Sequence, residues 1–130
     1  MSKQKQVLII EDEENIQGIL SAFIERYFSE REMQVNIKSM DDPIRGLYDL
    51  STRGELYDLI ILDVRLPKLG GDEIYNSISH VTPGLVNRIM FVTGYPDDLT
   101  DRWPDKKFTI LEKPFRYDAL SEKISSILNN

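Results

Sequence analysis

The pattern of this chain predicts an α/β protein, a three-layer sandwich built on a five-stranded parallel sheet. Two observations carry that expectation. Val7-Leu8-Ile9-Ile10, Leu59-Ile60-Ile61-Leu62 and Ile89-Met90-Phe91-Val92 are fully apolar runs that end abruptly in polar residues. Strands of a parallel sheet covered on both faces read this way. Between the runs lie segments with helical spacing, and strands that alternate with helices place crossovers on both faces of one sheet.

The first strand, Val7 to Ile10, stops at Glu11-Asp12-Glu13-Glu14. Ile16, Ile19, Leu20, Phe23, Ile24, Tyr27 and Phe28 then recur at helical spacing and form a wide apolar stripe. Glu13 and Glu14 favour the start of that helix through its dipole. Val35 and Ile37 alternate with Asn36 and Lys38, which suits an edge strand with one wet face. Asp42-Pro43 supplies a cap followed by proline at the first helical position. Ile44, Leu47 and Tyr48 are the expected buried stripe of this second helix.

The third strand, Leu59 to Leu62, terminates in Asp63. Pro67 and Gly70-Gly71 break the chain before a helix carrying Ile74 and Ile78, and His80 is expected on an exposed loop. The fourth strand, Ile89 to Val92, ends at Thr93-Gly94, and the fifth runs from Phe108 to Leu111, ending near Lys113. The span from Asp63 to Thr93 matches a full strand–helix–strand unit, roughly 30 residues. The span from Thr93 to Lys113 is shorter and contains Pro96 and Pro104, so its helix, around Asp97 to Trp103, should be short or irregular. Tyr117, Leu120, Ile124, Ile127 and Leu128 make the stripe of a closing helix.

With 130 residues the chain is expected to form one domain over 1–130. Its apolar share of 41% and charged share of 29% are those of a globular protein. No segment is long enough to span a bilayer, and the polar start Met1 to Gln6 leads into only four apolar residues, so a cytoplasmic location is expected. Cysteine is absent and His80 is the single histidine, which makes thiolate catalysis, Cys-ligated zinc and Ser-His pairing poor hypotheses. A net charge of -6 argues against direct nucleic acid binding, which needs a basic footprint.

In open α/β sheets, ligands bind beyond the carboxyl ends of the strands. Read there, the strands offer Glu11 and Asp12, Asp63, Thr93 and Lys113. Carboxylates that converge cannot all stay ionised unless a cation holds them. Oxygen ligands alone favour Mg²⁺. Such a metal with a lysine neutralises phosphoryl oxygens while a carboxylate acts as nucleophile and forms an acyl phosphate. Asp63 alone could be a loop cap, and Lys113 a solvated lysine. Their register with Asp12, and Pro114-Phe115 after the lysine, favour the functional reading.

Ile9-Ile10-Glu11-Asp12-Glu13-Glu14, Leu62-Asp63-Val64-Arg65-Leu66-Pro67, Val92-Thr93-Gly94 and Glu112-Lys113-Pro114-Phe115 together resemble the ordered signatures of response-regulator receiver domains of two-component signalling, the family of the bacterial chemotaxis regulator. The resemblance implies a flavodoxin-like sheet of order 2-1-3-4-5. It implies that Asp63 is the phosphoacceptor and Asp12 a direct Mg²⁺ ligand, with Glu11 acting on the metal through water and the backbone carbonyl of Arg65 completing the set. Lys113 would contact the phosphoryl oxygens, Thr93 would swing toward them, and Lys113-Pro114 would be a cis peptide. The partners implied are a sensor histidine kinase or phosphotransfer protein, whose phosphohistidine is the donor, and a downstream protein; a homodimer stays open. The chain would be a switch that catalyses its own phosphorylation and slow dephosphorylation, rather than an enzyme with free turnover. Two alternatives stand beside this. A pseudo-receiver would lack an acid or the lysine, and neither is missing; an aspartyl-nucleophile phosphatase often needs a second acid two residues after the nucleophile, where Arg65 stands.

The chain departs from the family at Ile110, three before the lysine, where an aromatic residue coupled to the threonine is usual. Tyr95 is expected to take over part of that readout, so Tyr95→Ala should alter phosphorylation-dependent partner binding. Arg65 and Tyr95 also occupy the positions that in this family influence how water reaches the acyl phosphate. Two bulky residues there predict slow hydrolysis. Timing phosphate release after charging checks this, and a half-life of seconds contradicts it.

Overall fold

The computed structural model describes residues 4–129, so Met1 to Lys3 of the polar start and Asn130 lie outside the described residues. Five strands, β1 (Lys5–Ile10), β2 (Val35–Met40), β3 (Leu59–Asp63), β4 (Ile89–Thr93) and β5 (Thr109–Glu112), form one parallel sheet in the order β2-β1-β3-β4-β5. Five helices connect and cover them: α1 (Glu14–Glu30), α2 (Pro43–Arg53), α3 (Gly71–Val81), α4 (Asp97–Thr100) and α5 (Tyr117–Leu128). The fold class and strand order expected from the sequence are those observed.

Each central strand alternates its side chains between two cores, which is why the runs are apolar throughout. Leu8, Ile10, Ile60, Leu62 and Phe91 face the layer that includes Leu50 of α2 and Ile74 and Ile78 of α3. Val7, Ile9, Leu59, Ile61, Met90 and Val92 face Leu20, Ile24 and Phe28 of α1 and Leu120 and Ile124 of α5. β2 stands at the edge, half-buried, as its alternating pattern predicts.

The second helix begins where expected, with Asp42 accepting from the Ile44 N–H at 3.0 Å and Pro43 following. Its buried face is a correction. Of the expected stripe, Leu47 packs half-buried on the core, whereas Ile44 and Tyr48 are 55% and 70% exposed; the buried residues are Pro43, Gly46, Asp49 and Leu50. The helix sits so close to β1 that a Cβ on Gly46 would lie 2.4 Å from Ile10 Cδ1. Asp49 is buried because Lys38 Nζ at 3.3 Å and Arg53 Nε at 3.0 Å neutralise it, and the Tyr57 hydroxyl donates to it. Burial, and then that carboxylate, push the Tyr57 hydroxyl pKa up.

Two further differences concern where elements begin and end. β5 starts at Thr109 rather than Phe108, and the Phe108 ring joins Tyr75, Phe91 and Trp103 in an aromatic cluster with centroids 5.0 to 5.9 Å apart. His80 is not on a loop; it occupies the last turn of α3, exposed, with Nδ1 2.7 Å from the Asn76 carbonyl oxygen. α4 is a single short turn, as the two prolines predict.

The start of α3 is pressed against the end of β3. Gly71 donates its N–H to Val64 O at 2.9 Å, and a Cβ there would lie 2.1 Å from the Asp63 carbonyl oxygen. The obstacle is backbone, which cannot turn aside as a side chain does. Gly71→Ala should therefore destabilise the protein by about 1–3 kcal/mol, the cost of overpacking, as read by urea denaturation.

Candidate functional site

The carboxyl ends of β1, β3 and β4 and the loop after β5 meet at one edge of the sheet. Glu11 follows β1 directly. Its N–H continues the ladder to Met40 O at 3.0 Å, and the Gln17 side-chain amide donates to its carbonyl oxygen. This clamp points Glu11 into the protein, where it is 1% exposed, while Asp12 next to it stays exposed. Asp63 ends β3 at 6% exposure, and Thr93 ends β4 fully buried. Lys113 donates its N–H to Thr93 O at 2.9 Å and precedes the cis peptide to Pro114.

The side chains converge. Lys113 Nζ lies 3.0 Å from Glu11 Oε1 and 3.4 Å from Asp63 Oδ2. Carboxylate oxygens of Glu11, Asp12 and Asp63 all lie within 4.8 Å of one another. Glu11 Oε2 accepts from the Glu13 N–H at 3.1 Å, and Asp63 Oδ1 from the Arg65 N–H at 3.3 Å. The Thr93 hydroxyl accepts from the Tyr95 N–H at 2.9 Å, and its own proton remains available to donate. All five strand-end residues read from the sequence are thus brought to one place.

The charges are out of balance. Burial pushes the Glu11 carboxyl up to about 7, against the pull of the Glu13 N–H and the Lys113 ammonium. Burial likewise raises Asp63, with Lys113 drawing it back. Burial works against the Lys113 ammonium too, but its bond to Glu11 and the two nearby carboxylates outweigh this and raise its pKa. A cluster of oxygen donors with surplus negative charge, one of them exposed, suits a hard divalent cation such as Mg²⁺.

Arg65 and Tyr95 flank the site on the surface. The Arg65 guanidinium stacks on the Tyr95 ring, 3.4 Å from its centroid, and pairs with Asp98 of α4 at 2.9 Å. The bond to Asp98 raises the Arg65 pKa and lowers that of Asp98. Ile110 is not at the site; it packs half-buried on the core that holds Phe91. Sequence reasoning missed Gln17, which holds Glu11, and Asp98, which holds Arg65. Gln17 stands on the polar side of its helix pattern, and an ion pair between a loop and a distant helical turn leaves no local signal.

A family model described as a response regulator receiver domain matches residues 7–125. The structure is similar to a response regulator receiver domain protein from Clostridium thermocellum, with a TM-score of 0.79 and 24% identity, covering 96% of this chain and 94% of that one. It is also similar to the receiver domain of a sensor histidine kinase from Pseudomonas aeruginosa PAO1, with a TM-score of 0.79 and 19% identity over 98% of this chain and 100% of that one. That structure has a magnesium ion coordinated in its active-site cleft. No curated protein matches the chain. Among the described residues no helix is long and apolar enough to cross a membrane.

Glu11 in metal-free protein gives a pH prediction. Its folded pKa lies above the unfolded value near 4.5, so between the two the folded state binds more protons and stability falls as pH rises. Glu11→Gln should melt above wild type at pH 8 and level with it only below the unfolded value near 4.5, as followed by thermal denaturation.

Proposed function

Because the chain belongs to the response regulator receiver domain family, we propose that it is a phosphorylation switch that takes a phosphoryl group on Asp63. The observation that supports this most is the Lys113 ammonium placed between the buried Glu11 and Asp63 carboxylates, beside an exposed third acid. In this reading Asp63 is the nucleophile, and Lys113 with the neighbouring acids supplies the charge and the metal ligands that the product needs.

Asp12, Asp63 and the Arg65 carbonyl would hold Mg²⁺, with Glu11 acting through water. When bound, the metal supplies positive charge for the phosphoryl oxygens. An Asp63 carboxylate oxygen attacks the phosphorus of a phosphohistidine. The phosphorus–nitrogen bond breaks, and the imidazole leaves with the electron pair and takes up a proton. Lys113 shifts its bonds toward the new phosphoryl oxygens and offsets part of their charge. Thr93 turns its hydroxyl from the Tyr95 N–H to donate to the phosphoryl group, and that motion alters the loop after β4 for a downstream partner.

The donor in this reading is a sensor histidine kinase or phosphotransfer protein in the cytoplasm. A shallow apolar groove of about 280 Å³, lined by Ile16, Ile19, Lys113, Pro114 and Phe115, borders the site and offers such a partner a surface beside Asp63. The chain as a whole is one switch domain that charges itself and slowly discharges.

Incubation with Mg²⁺ and acetyl phosphate, followed by intact mass, tests the reading. Wild type should gain one phosphoryl group only when Mg²⁺ is present. Asp63→Asn should gain none, and Lys113→Ala should charge at least tenfold more slowly, on the order of the loss of one charged contact to the transferring group. No gain in wild type from acetyl phosphate or a phosphohistidine donor would favour a pseudo-receiver.

A further inference from the structure

Around the site, a set of side-chain contacts that the phosphoryl chemistry does not use gathers on the β3–β4 side, built on residues whose backbone it does use. Arg65 stands two positions beyond Asp63, and Tyr95 two beyond Thr93. Their side chains stack at 3.4 Å, and their N–H groups bind Asp63 Oδ1 at 3.3 Å and Thr93 Oγ1 at 2.9 Å. β3 and β4 are neighbours in the sheet, with Asp63 opposite Val92. The stack therefore bridges the gap between two adjacent strand ends.

What holds the stack is Asp98. It accepts from Arg65 Nε at 2.9 Å and from a terminal guanidinium nitrogen at 3.3 Å, a two-point grip that sets the plane of the guanidinium. Asp98 itself is fixed. The next residue, Leu99, is fully buried, and Arg102 ties the following turn to Asp72 of α3 at 2.9 Å. Arg65 is an exposed side chain on a flexible stem, and without the grip only the ring attraction would keep it in place.

We propose that Asp98 is a positioning residue: by holding Arg65 against Tyr95 it closes the β3–β4 side of the site and limits the access of small molecules, water included, to Asp63. The part concerning water rests on the phosphorylation reading; the closure itself does not. A charge pair at the surface is screened by salt, so the closure loosens as ionic strength rises.

The chain has no cysteine, so Asp63→Cys places a single thiol at the position in question. Alkylation of that thiol by the neutral reagent iodoacetamide reads access directly. Adding Asp98→Asn should speed the reaction about two- to five-fold, the range a surface charge pair supplies, while Asp98→Glu stays near the parent. Arg65→Gln should speed it too, although its lost positive charge would by itself disfavour the thiolate. Added sodium chloride should accelerate alkylation with Asp98 present and not with Asp98→Asn. Unchanged rates in both Asp98→Asn and Arg65→Gln overturn the closure. In proteins that keep Asp63, Asp98→Asn should shorten the acyl-phosphate half-life by a similar factor. Faster alkylation with an unchanged half-life would overturn the control of hydrolysis. If wild type takes no phosphoryl group, the functional reading fails, and the alkylation rates still decide the closure.

Discussion

Two carboxylates buried side by side, Glu11 and Asp63, with the Lys113 ammonium between them, set the terms for the rest of the molecule. Burying charge is costly unless partners repay it, and here they repay it only in part. The contrast with Asp49 is instructive. That buried acid has two cations and a tyrosine hydroxyl for its single charge, so it serves the fold. Glu11, Asp12 and Asp63 share one ammonium within bonding distance among the described residues. A fold keeps such a deficit where something else is to bind.

The sheet makes this arrangement available. In a parallel sheet all strands end on the same side, so the residues that terminate β1, β3 and β4 come together without any one of them knowing of the others. Both faces are covered by helices, which fixes the strands tightly enough for three polar ends to hold their geometry. Local contacts finish the placement: the Met40 carbonyl and the Gln17 side chain hold the Glu11 backbone, Gly71 lets α3 press against Asp63, and the Thr93 carbonyl anchors the Lys113 N–H.

The short crossover between β4 and β5 gives the site its individual character. With only one turn of helix in α4, the layer there is filled by the Tyr75, Phe91, Trp103 and Phe108 rings. The same turn carries Asp98 and brings it within reach of Arg65. Ile110 packs half-buried on the same core as Phe91.

How much could be read in advance follows from the range of each interaction. Apolar runs, helical spacing, the Asp42-Pro43 cap and the strand-end acids are local patterns, and from them the alternation of elements, the class and the five residues that gather at the strand ends are legible. The strand order and the cis Lys113-Pro114 bond came from resemblance, because neither is written in local periodicity. The inward face of α2 was misread. Spacing of three and four is met equally by Ile44, Leu47 and Tyr48 and by Pro43, Gly46 and Leu50, and a glycine and a buried acid do not look like core. The choice between those faces depended on the approach of the helix to Ile10 and on the partners of Asp49, both contributed by distant segments. Sequence alone thus determined which chemical groups stand at the strand ends, since that is a matter of order along the chain. Only the tertiary structure decided which charges are buried, which are paired and which residues close over them, since burial and pairing are made by residues far apart in the chain.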